Sequence, residues 1–258
     1  MRVLFIGDVV GPEAVRWLAD RLPALRRRDA VDLVVVNAEN AAVTGPCPMD
    51  GFGMTEALVG ALVEGGVDVV TSGNHAWEGP DADRVLGTPH VLRPLNVPSS
   101  WPGRGALEVE VGGERVTVAN LTDASAIAEA LPLWPAWEGL GRRRTVLIDL
   151  HSGSVNGKLA FAAAVDGSAA AVLGTHTHEP TCDGRVLPGG TAVVADVGMT
   201  GPAGGVQGIE SAHMAAHARG EACAGLPPFS LAPGPIVLGA VLLDVVEGRT
   251  RAIRRITG

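Results

Sequence analysis

The sequence predicts an α/β protein in which a largely parallel sheet packs beside a hairpin-rich second sheet, with helices outside. β-branched apolar runs alternate with helical stretches, which is typical of parallel strands joined by helices. Several of these runs are almost continuously apolar, as expected of strands buried on both faces. Two further pairs of β-like runs are separated by Gly112-Gly113 and by Glu247-Gly248, which indicates hairpins in the middle and at the end of the chain.

The individual elements follow from the apolar runs and from the residues that flank them. The first strand is predicted at 3–6, and a helix at about 12–28 follows it with Pro12 in its first turn. Further buried strands are predicted at 33–36, 67–71, 145–150 and 169–173, and hairpin strands at 107–111, 115–120, 236–245 and 249–256. Because the chain shows neither an internal repeat nor an interdomain linker, we expect one domain over residues 1–258.

The composition argues against several functional classes. With 258 residues, 47% of them hydrophobic and 19% charged, the chain can build an extensive core. Its net charge of −8 argues against a nucleic-acid duplex or an anionic membrane surface as the main partner. No apolar run approaches the roughly 20 residues of a membrane span, and the first run meets Asp8 too early for a signal peptide. We therefore expect a cytoplasmic protein, and its three cysteines do not indicate a disulfide framework.

Polar residues follow five of the predicted strands, at the edge where open α/β sheets bind ligands. These residues are Asp8, Glu39, Asn40, Asn74, His75, His151, His176 and His178. Taken singly, each has an ordinary explanation: Asp8 could cap the following helix, and His151 could be a core histidine bonded to a backbone carbonyl. Taken together, five such strand ends favour one functional site.

His176 and His178 form the most informative pair in the sequence. In an extended segment the two side chains would point the same way, roughly 6.6 Å apart along the strand. Since the ions of a two-metal hydrolytic site lie about 3.5–4 Å apart, the pair could serve both. An isolated pair of this kind is more often a polar strand end, so the other strand ends decide the interpretation.

The residue types at these strand ends point to metal-assisted phosphoester hydrolysis. Carboxylates, amides and imidazoles without a thiolate form an oxygen and nitrogen ligand set that suits Mn, Fe or Zn. Two ions bridged by a carboxylate such as Glu39 would polarise a phosphoryl group and generate a hydroxide nucleophile. A histidine outside the ligand set could protonate the leaving oxygen. His75 is the candidate, because Asn74 beside it can act as the ligand.

The motif series resembles that of the calcineurin-like metallophosphoesterases. The motifs are Gly7-Asp8, Gly73-Asn74-His75, His151 and Gly174-Thr175-His176-Thr177-His178. Residues 1–11, 37–42, Arg93-Pro94 and 196–202 are similar to the YmdB-like branch, whose members hydrolyse 2′,3′-cyclic and, in some cases, 3′,5′-cyclic nucleotides. The likeness runs from the first residue to about Pro202 and more loosely to the end.

The resemblance implies a four-layer α/β/β/α sandwich of two mixed sheets flanked by helices. It also implies two transition-metal ions, usually Fe or Mn, a homo-oligomer and a small phosphodiester substrate; the ligand set admits Zn as well. Asp8, Asn40 and His178 would hold one ion, and Asn74, His151 and His176 the other. Glu39 would bridge the two ions, and His75 would be the general acid.

The chain departs from the pattern in ways that leave its substrate open. The superfamily's Asp-x-His reads Asp8-Val9-Val10 here, with Asn40 able to take the vacant position. The loop over residues 43–53, which contains Cys47, differs from typical relatives and could border the substrate. Arg93 and Lys158 could contact the substrate, although charged residues in such positions are more often solvated or structural.

Three alternatives remain at this stage. Within the superfamily, the chain could be a phosphomonoesterase or a phosphoprotein phosphatase. The second alternative is an SGNH esterase, because residues 72–75 read Ser-Gly-Asn-His. Those enzymes carry a nucleophilic serine directly after their first Gly-Asp, and here Val9 occupies that position. A non-catalytic protein that binds metal and a nucleotide for regulation is the third, and an intact His75 argues against it.

Overall fold

Strands and helices alternate along much of the computed structural model, which describes residues 1–43, 52–222, 226 and 230–256. The strands are β1 (Arg2–Ile6), β2 (Leu33–Asn37), β3 (Val69–Thr71), β4 (Ala106–Val111), β5 (Glu114–Thr122), β6 (Thr145–His151), β7 (Ala171–Thr175), β8 (Arg185–Val186), β9 (Ala192–Val194), β10 (Gly201–Pro202), β11 (Ile236–Val237), β12 (Ala240–Val246) and β13 (Arg249–Arg255). The helices are α1 (Pro12–Asp29), α2 (Glu56–Glu64), α3 (Ala82–Gly87), α4 (Leu133–Gly139), α5 (Val155–Ala164) and α6 (Ala212–Ala218).

Most of the strands belong to two large mixed sheets. The first has the order β13-β12-β1-β2-β3, in which β1, β2 and β3 are parallel. The second has the order β4-β5-β6-β7-β9-β8, in which β5, β6, β7 and β9 are parallel. The expectation of one parallel sheet beside one hairpin-rich sheet is therefore wrong. The parallel strands are divided between the sheets, and each predicted hairpin extends an edge of one sheet.

Three apolar clusters define four layers. Alternate residues of β1 face opposite ways: Phe5 packs between the sheets, in one cluster with Leu147 and Leu173 of the second sheet. Its neighbour Ile6 packs outward in the cluster that includes Leu18 of α1. On the far side, a third cluster joins residues of the second sheet to α4 and α5. The α/β/β/α sandwich is confirmed, with helices covering the outer face of each sheet.

The predicted element boundaries hold to within about two residues for most strands. The helix predicted at 12–28 is α1, which begins with Pro12 at its first position after Gly11, a residue with a φ of 87°. The strand predicted at 169–173 lies two residues later, as β7. The loop predicted over 43–53 falls largely on residues 44–51, which lie outside the described residues together with Cys47. Among the helices that are described, none combines the length and apolar character needed to cross a membrane.

Candidate metal centre

All eight predicted residues lie at one edge of the sandwich, where parallel strands of both sheets end. Asp8 follows β1, Glu39 and Asn40 follow β2, Asn74 and His75 follow β3, His151 is the last residue of β6, and His176 and His178 follow β7. Asp8, Glu39, Asn40, His151 and His178 are buried, while Asn74, His75 and His176 are half-buried. Because the two sheets face each other, residues far apart in sequence meet here.

One group of ligand atoms surrounds the Nε2 atom of His151. Glu39 Oε1 lies 3.1 Å from it, Asn74 Oδ1 3.0 Å and His176 Nδ1 3.0 Å. A single ring nitrogen offers at most one proton and cannot satisfy three partners at once. Two imidazole nitrogens and two oxygens are a ligand set that fits a transition-metal ion. These residues could therefore hold a metal among them.

A second group forms around His178. Asn40 Nδ2 lies 3.1 Å from His178 Nε2, and Asp8 Oδ1 lies 3.8 Å from the same nitrogen. The Oδ1 atom of Asn40 is buried without a hydrogen-bond partner. Rotation of this amide by half a turn would direct Oδ1 to the place where the nitrogen of His178 and the carboxylate of Asp8 converge. A cation there would satisfy all three, so this group also fits a metal.

Glu39 lies between the two groups. Its Oε1 atom contacts His151 of the first group at 3.1 Å and Asn40 of the second at 3.4 Å. Its Oε2 atom accepts the backbone N–H of His75 at 3.1 Å, which fixes the carboxylate plane. The position of this carboxylate suits a bridge between two ions.

The charges at this edge favour bound cations. Burial lowers the pKa of His176 to about 4, and burial also lowers the pKa of His178, so both rings are neutral at pH 7 and keep a lone pair for a metal. Burial raises the pKa of Asp8 well above its usual value, and nearby acids add to the shift. Burial opposes the charged forms of His151 and Glu39 as well, but their mutual attraction raises the pKa of His151 to about 9 and lowers that of Glu39.

The histidine pair is not part of an extended strand, so that prediction is wrong. β7 ends at Thr175, and the backbone then takes a φ of 99° at His176 and 65° at His178. Positive φ at residues other than glycine costs on the order of 1–3 kcal/mol each. The turn is held by Asp8, which accepts the His176 N–H at 3.2 Å, and by Asp196, which accepts the backbone and hydroxyl protons of Thr177. The turn, and not strand alternation, directs the two rings to different groups.

Asp149 orients His151 through Thr175, and it is not among the residues predicted from the sequence. Its fully buried carboxylate accepts hydrogen bonds from Asn37 and Thr71 of the first sheet, at 2.9 and 2.5 Å. It also accepts the hydroxyl proton of Thr175 at 2.7 Å, so Thr175 Oγ1 can accept the Nδ1–H of His151 at 2.9 Å. This chain of hydrogen bonds leaves Nε2 of His151 free for a metal. An acidic residue inside an apolar strand was the available sequence signal.

His75 lies beside the ligand groups and outside them. Its Nδ1 lies 2.7 Å from Glu78 Oε1, and its ring stacks on Phe52 with 4.3 Å between the ring centres. When Nδ1–H donates to Glu78, Nε2 is the nitrogen left for a substrate. Glu78 is a second site residue that the sequence analysis missed, because its pairing with His75 depends on the turn between them.

The two predicted substrate contacts are engaged elsewhere. Lys158 has no solvent exposure, and its Nζ donates to the Thr175 carbonyl at 2.8 Å and to Asp196 Oδ2 at 3.2 Å. Arg93 is 7% exposed, and its guanidinium donates to the carbonyls of Pro94 and Leu95 at 2.7 and 3.0 Å. Both side chains are therefore buried and hydrogen-bonded within the protein, and their contact with substrate stays a prediction.

Comparison with known proteins places the chain in a family. A family model described as "YmdB-like protein" matches residues 4–256. The chain belongs to the YmdB-like family. The predicted resemblance to metallophosphoesterases of the YmdB-like branch is thereby confirmed.

Three relatives of this YmdB-like protein match it over more than nine tenths of their own length. A Bacillus subtilis (strain 168) protein named 2′,3′-cyclic-nucleotide 2′-phosphodiesterase is 34% identical over 98% of this chain and 95% of its own. The crystal structure of a hypothetical protein from Thermus thermophilus has 37% identity and a TM-score of 0.87, covering 98% of this chain and 97% of that one. That of a novel phosphatase from Mycoplasma pneumoniae has 28% identity and a TM-score of 0.89, covering 99% and 92%.

Proposed function

We propose that this YmdB-like protein is a two-metal phosphodiesterase that opens 2′,3′-cyclic nucleotides, with 3′,5′-cyclic nucleotides as a second substrate class. The observation that carries the proposal is the meeting of two ligand groups around one shared carboxylate, Glu39, with His75 beside them. The name of the Bacillus subtilis relative supports the choice of cyclic nucleotides.

The ligand assignment follows the two groups. Asp8, Asn40 and His178 would hold one ion, and Asn74, His151 and His176 the other, with Glu39 in reach of both. When bound, the ions would polarise the phosphoryl group and supply a water-derived nucleophile. The oxygen and nitrogen set suits Fe, Mn or Zn, and Fe with Mn is our preferred pair.

His75 is placed to handle the proton of the leaving oxygen. In the imidazolium form both ring nitrogens carry protons, so Nδ1–H can donate to Glu78 while Nε2–H faces the substrate. Hydrolysis at the 2′ position adds the oxygen of water to phosphorus and breaks the bond from phosphorus to O2′. The proton from His75 Nε2 goes to O2′, and the product is a 3′-phosphate. Stacking on Phe52 fixes the plane of the imidazole during this transfer.

The variant His75→Ala tests this assignment. We expect it to keep its metals and to lose turnover of cyclic phosphodiesters by roughly 10²–10⁴-fold, the range for a general acid. The matched control is His90→Ala, because His90 lies at the opposite end of β3, where its Nδ1 contacts the Asp68 carbonyl. Unchanged turnover in His75→Ala would reject the mechanism.

Metal content and a substrate panel test the function itself. Elemental analysis of protein purified without chelator should find about two transition-metal ions per chain, since a two-metal mechanism needs both. Absence of metal would reject the two-metal proposal. Preferential turnover of monoesters would favour a phosphatase, and no turnover of any phosphoester by the metal-loaded protein would favour a regulator. A cytoplasmic location and a homo-oligomer remain predictions.

A further inference from the structure

A second cavity opens directly beside the metal centre. We call it the tryptophan cleft, and it has a volume of about 510 Å³. The residues that line it are Asn74, Trp77, Trp101, Pro102, Ala126, Ile127, Ala128 and Glu129. Asn74 belongs to both places, because its Oδ1 atom also lies 3.0 Å from Nε2 of His151. The cleft therefore adjoins the metal centre at Asn74.

The cavity at the metal centre is smaller than the cavities that usually hold a small organic ligand. It is lined by Glu39, Asn40, Phe52, His75 and other site residues and measures about 200 Å³. Cavities that hold small organic ligands usually measure about 300–1,000 Å³. We therefore place the phosphoryl group beside the metal ligands and the rest of the substrate in a neighbouring cavity.

The chemistry of the cleft suits a flat aromatic group. Trp77 and Trp101 meet edge to face, with 4.6 Å between ring centres and 76° between ring planes. The indole N–H of Trp77 donates to the Pro102 carbonyl at 3.2 Å, so the ring is held in place and its polar atom is already satisfied. The cleft therefore offers a ligand fixed π surfaces, on which a nucleobase gains about 1–3 kcal/mol by stacking.

The charge of the cleft sets the direction in which a nucleotide lies. Among the described lining residues, Glu129 is charged and none is cationic. An anionic rim disfavours a phosphate in the cleft, whereas a carboxylate can accept hydrogen bonds from the N–H groups of a base. The phosphate then belongs at the metal centre and the base in the cleft. In a 2′,3′-cyclic nucleotide only the ribose separates the two.

We propose that the tryptophan cleft binds the nucleobase of the substrate, so that the enzyme selects nucleoside phosphodiesters over phosphodiesters without a base. This inference rests on the proposed function. Stacking in the cleft contributes to substrate binding and leaves the chemical step to the residues around Glu39 and His75. Loss of a ring should therefore raise KM for a base-bearing substrate and leave kcat unchanged.

The test compares two substrates in two tryptophan variants. Adenosine 2′,3′-cyclic phosphate carries the base, and 1-O-methylribose 2′,3′-cyclic phosphate lacks it. For Trp101→Ala we expect KM for the adenosine compound to rise roughly 5- to 100-fold, as loss of one stacking contact predicts, with no change for the ribose compound. The control is Trp134→Ala, since Trp134 is 46% exposed and lies on α4, outside the lining of the cleft. Equal effects on both substrates, or no effect, would overturn the inference.

A second variant and a binding measurement cover the other outcomes. If Trp101→Ala does not fold, Ala128→Leu narrows the cleft from an exposed position and should raise the same KM. Quenching of tryptophan fluorescence by adenosine should weaken in either cleft variant and not in Trp134→Ala. If the wild type hydrolyses neither compound, the proposed function fails while quenching still decides on the cleft. The inference is contradicted if adenosine does not quench the fluorescence of the wild type and if the wild type has the same KM for the compounds with and without a base.

Discussion

Replacing Lys158 with methionine removes one charge from an ion pair that has no solvent exposure on either side. Lys158 Nζ lies 3.2 Å from Asp196 Oδ2, and both side chains are 0% exposed. Methionine keeps most of the length and apolar volume of lysine but offers no proton. The Asp196 carboxylate and the Thr175 carbonyl, which accepts from Nζ at 2.8 Å, each lose a partner.

The surroundings of Asp196 set the size of the effect. Breaking a buried pair by removing one partner costs about 3–5 kcal/mol, because the other charge stays buried. Asp196 also accepts protons from Thr177 and from the backbone of Gly198, at 2.8–3.1 Å. These bonds remain in Lys158→Met, so we expect the lower end, about 3 kcal/mol. At roughly 2–4 °C per kcal/mol for a domain near this size, the melting temperature should fall by about 6–12 °C.

Equilibrium unfolding in urea, followed by circular dichroism, measures this loss. The matched control is Arg84→Met, because Arg84 is 66% exposed in its pairs with Asp81 and Glu56 and its loss should leave the stability almost unchanged. Adding Asp196→Asn to Lys158→Met should recover part of the loss, since the unpaired charge is then gone. A cost below about 1 kcal/mol for Lys158→Met would refute the reasoning. A raised KM with unchanged stability in Lys158→Met would support Lys158 as a substrate contact.

Three further predictions concern the metal centre. In Gly73→Ala the new Cβ would clash with His151 Nε2 and Glu39 Oε2, so we expect elemental analysis to find little bound metal. The control is Gly60→Ala, whose Cβ has nothing within 4 Å and which should bind metal as the wild type does. Thr175→Val removes the hydroxyl that links Asp149 to His151. Calorimetric titration should show a metal affinity about 10- to 100-fold weaker. An unchanged affinity would contradict the role of Thr175 in orienting His151. In the metal-free protein the pKa of His151 is raised from 6.5 to about 9, so its contribution to stability is fully present below pH 6.5 and is lost as pH rises through 9. Urea midpoints of the chelated wild type should therefore fall over this interval more than those of His151→Gln, and parallel curves would count against the shift.

Local sequence signals were sufficient for most of the strands and for the polar residues at the ends of five of them, but they did not predict β8, β9 or β10. A buried parallel strand needs an apolar run, and a metal ligand needs a particular side chain, so both can be recognised within a few residues. The strand end at His151 and the turn after Gly73 illustrate this, since the predicted residues meet there. The same local signals could not say which sheet each strand joins.

The sequence by itself determined the α/β class, the metal-type residues at five strand ends and the resemblance to the YmdB-like family. Only the tertiary structure decided that Lys158 is a buried partner of Asp196, that Asp149 joins the two sheets beneath His151, and that His176 and His178 lie in a turn. The physical reason is that burial, charge pairing and backbone strain depend on neighbours distant in the chain. The hydrogen-bond partners cited for Lys158 and Asp149, a backbone carbonyl and a side-chain amide, lie 17 and 112 positions away in the chain.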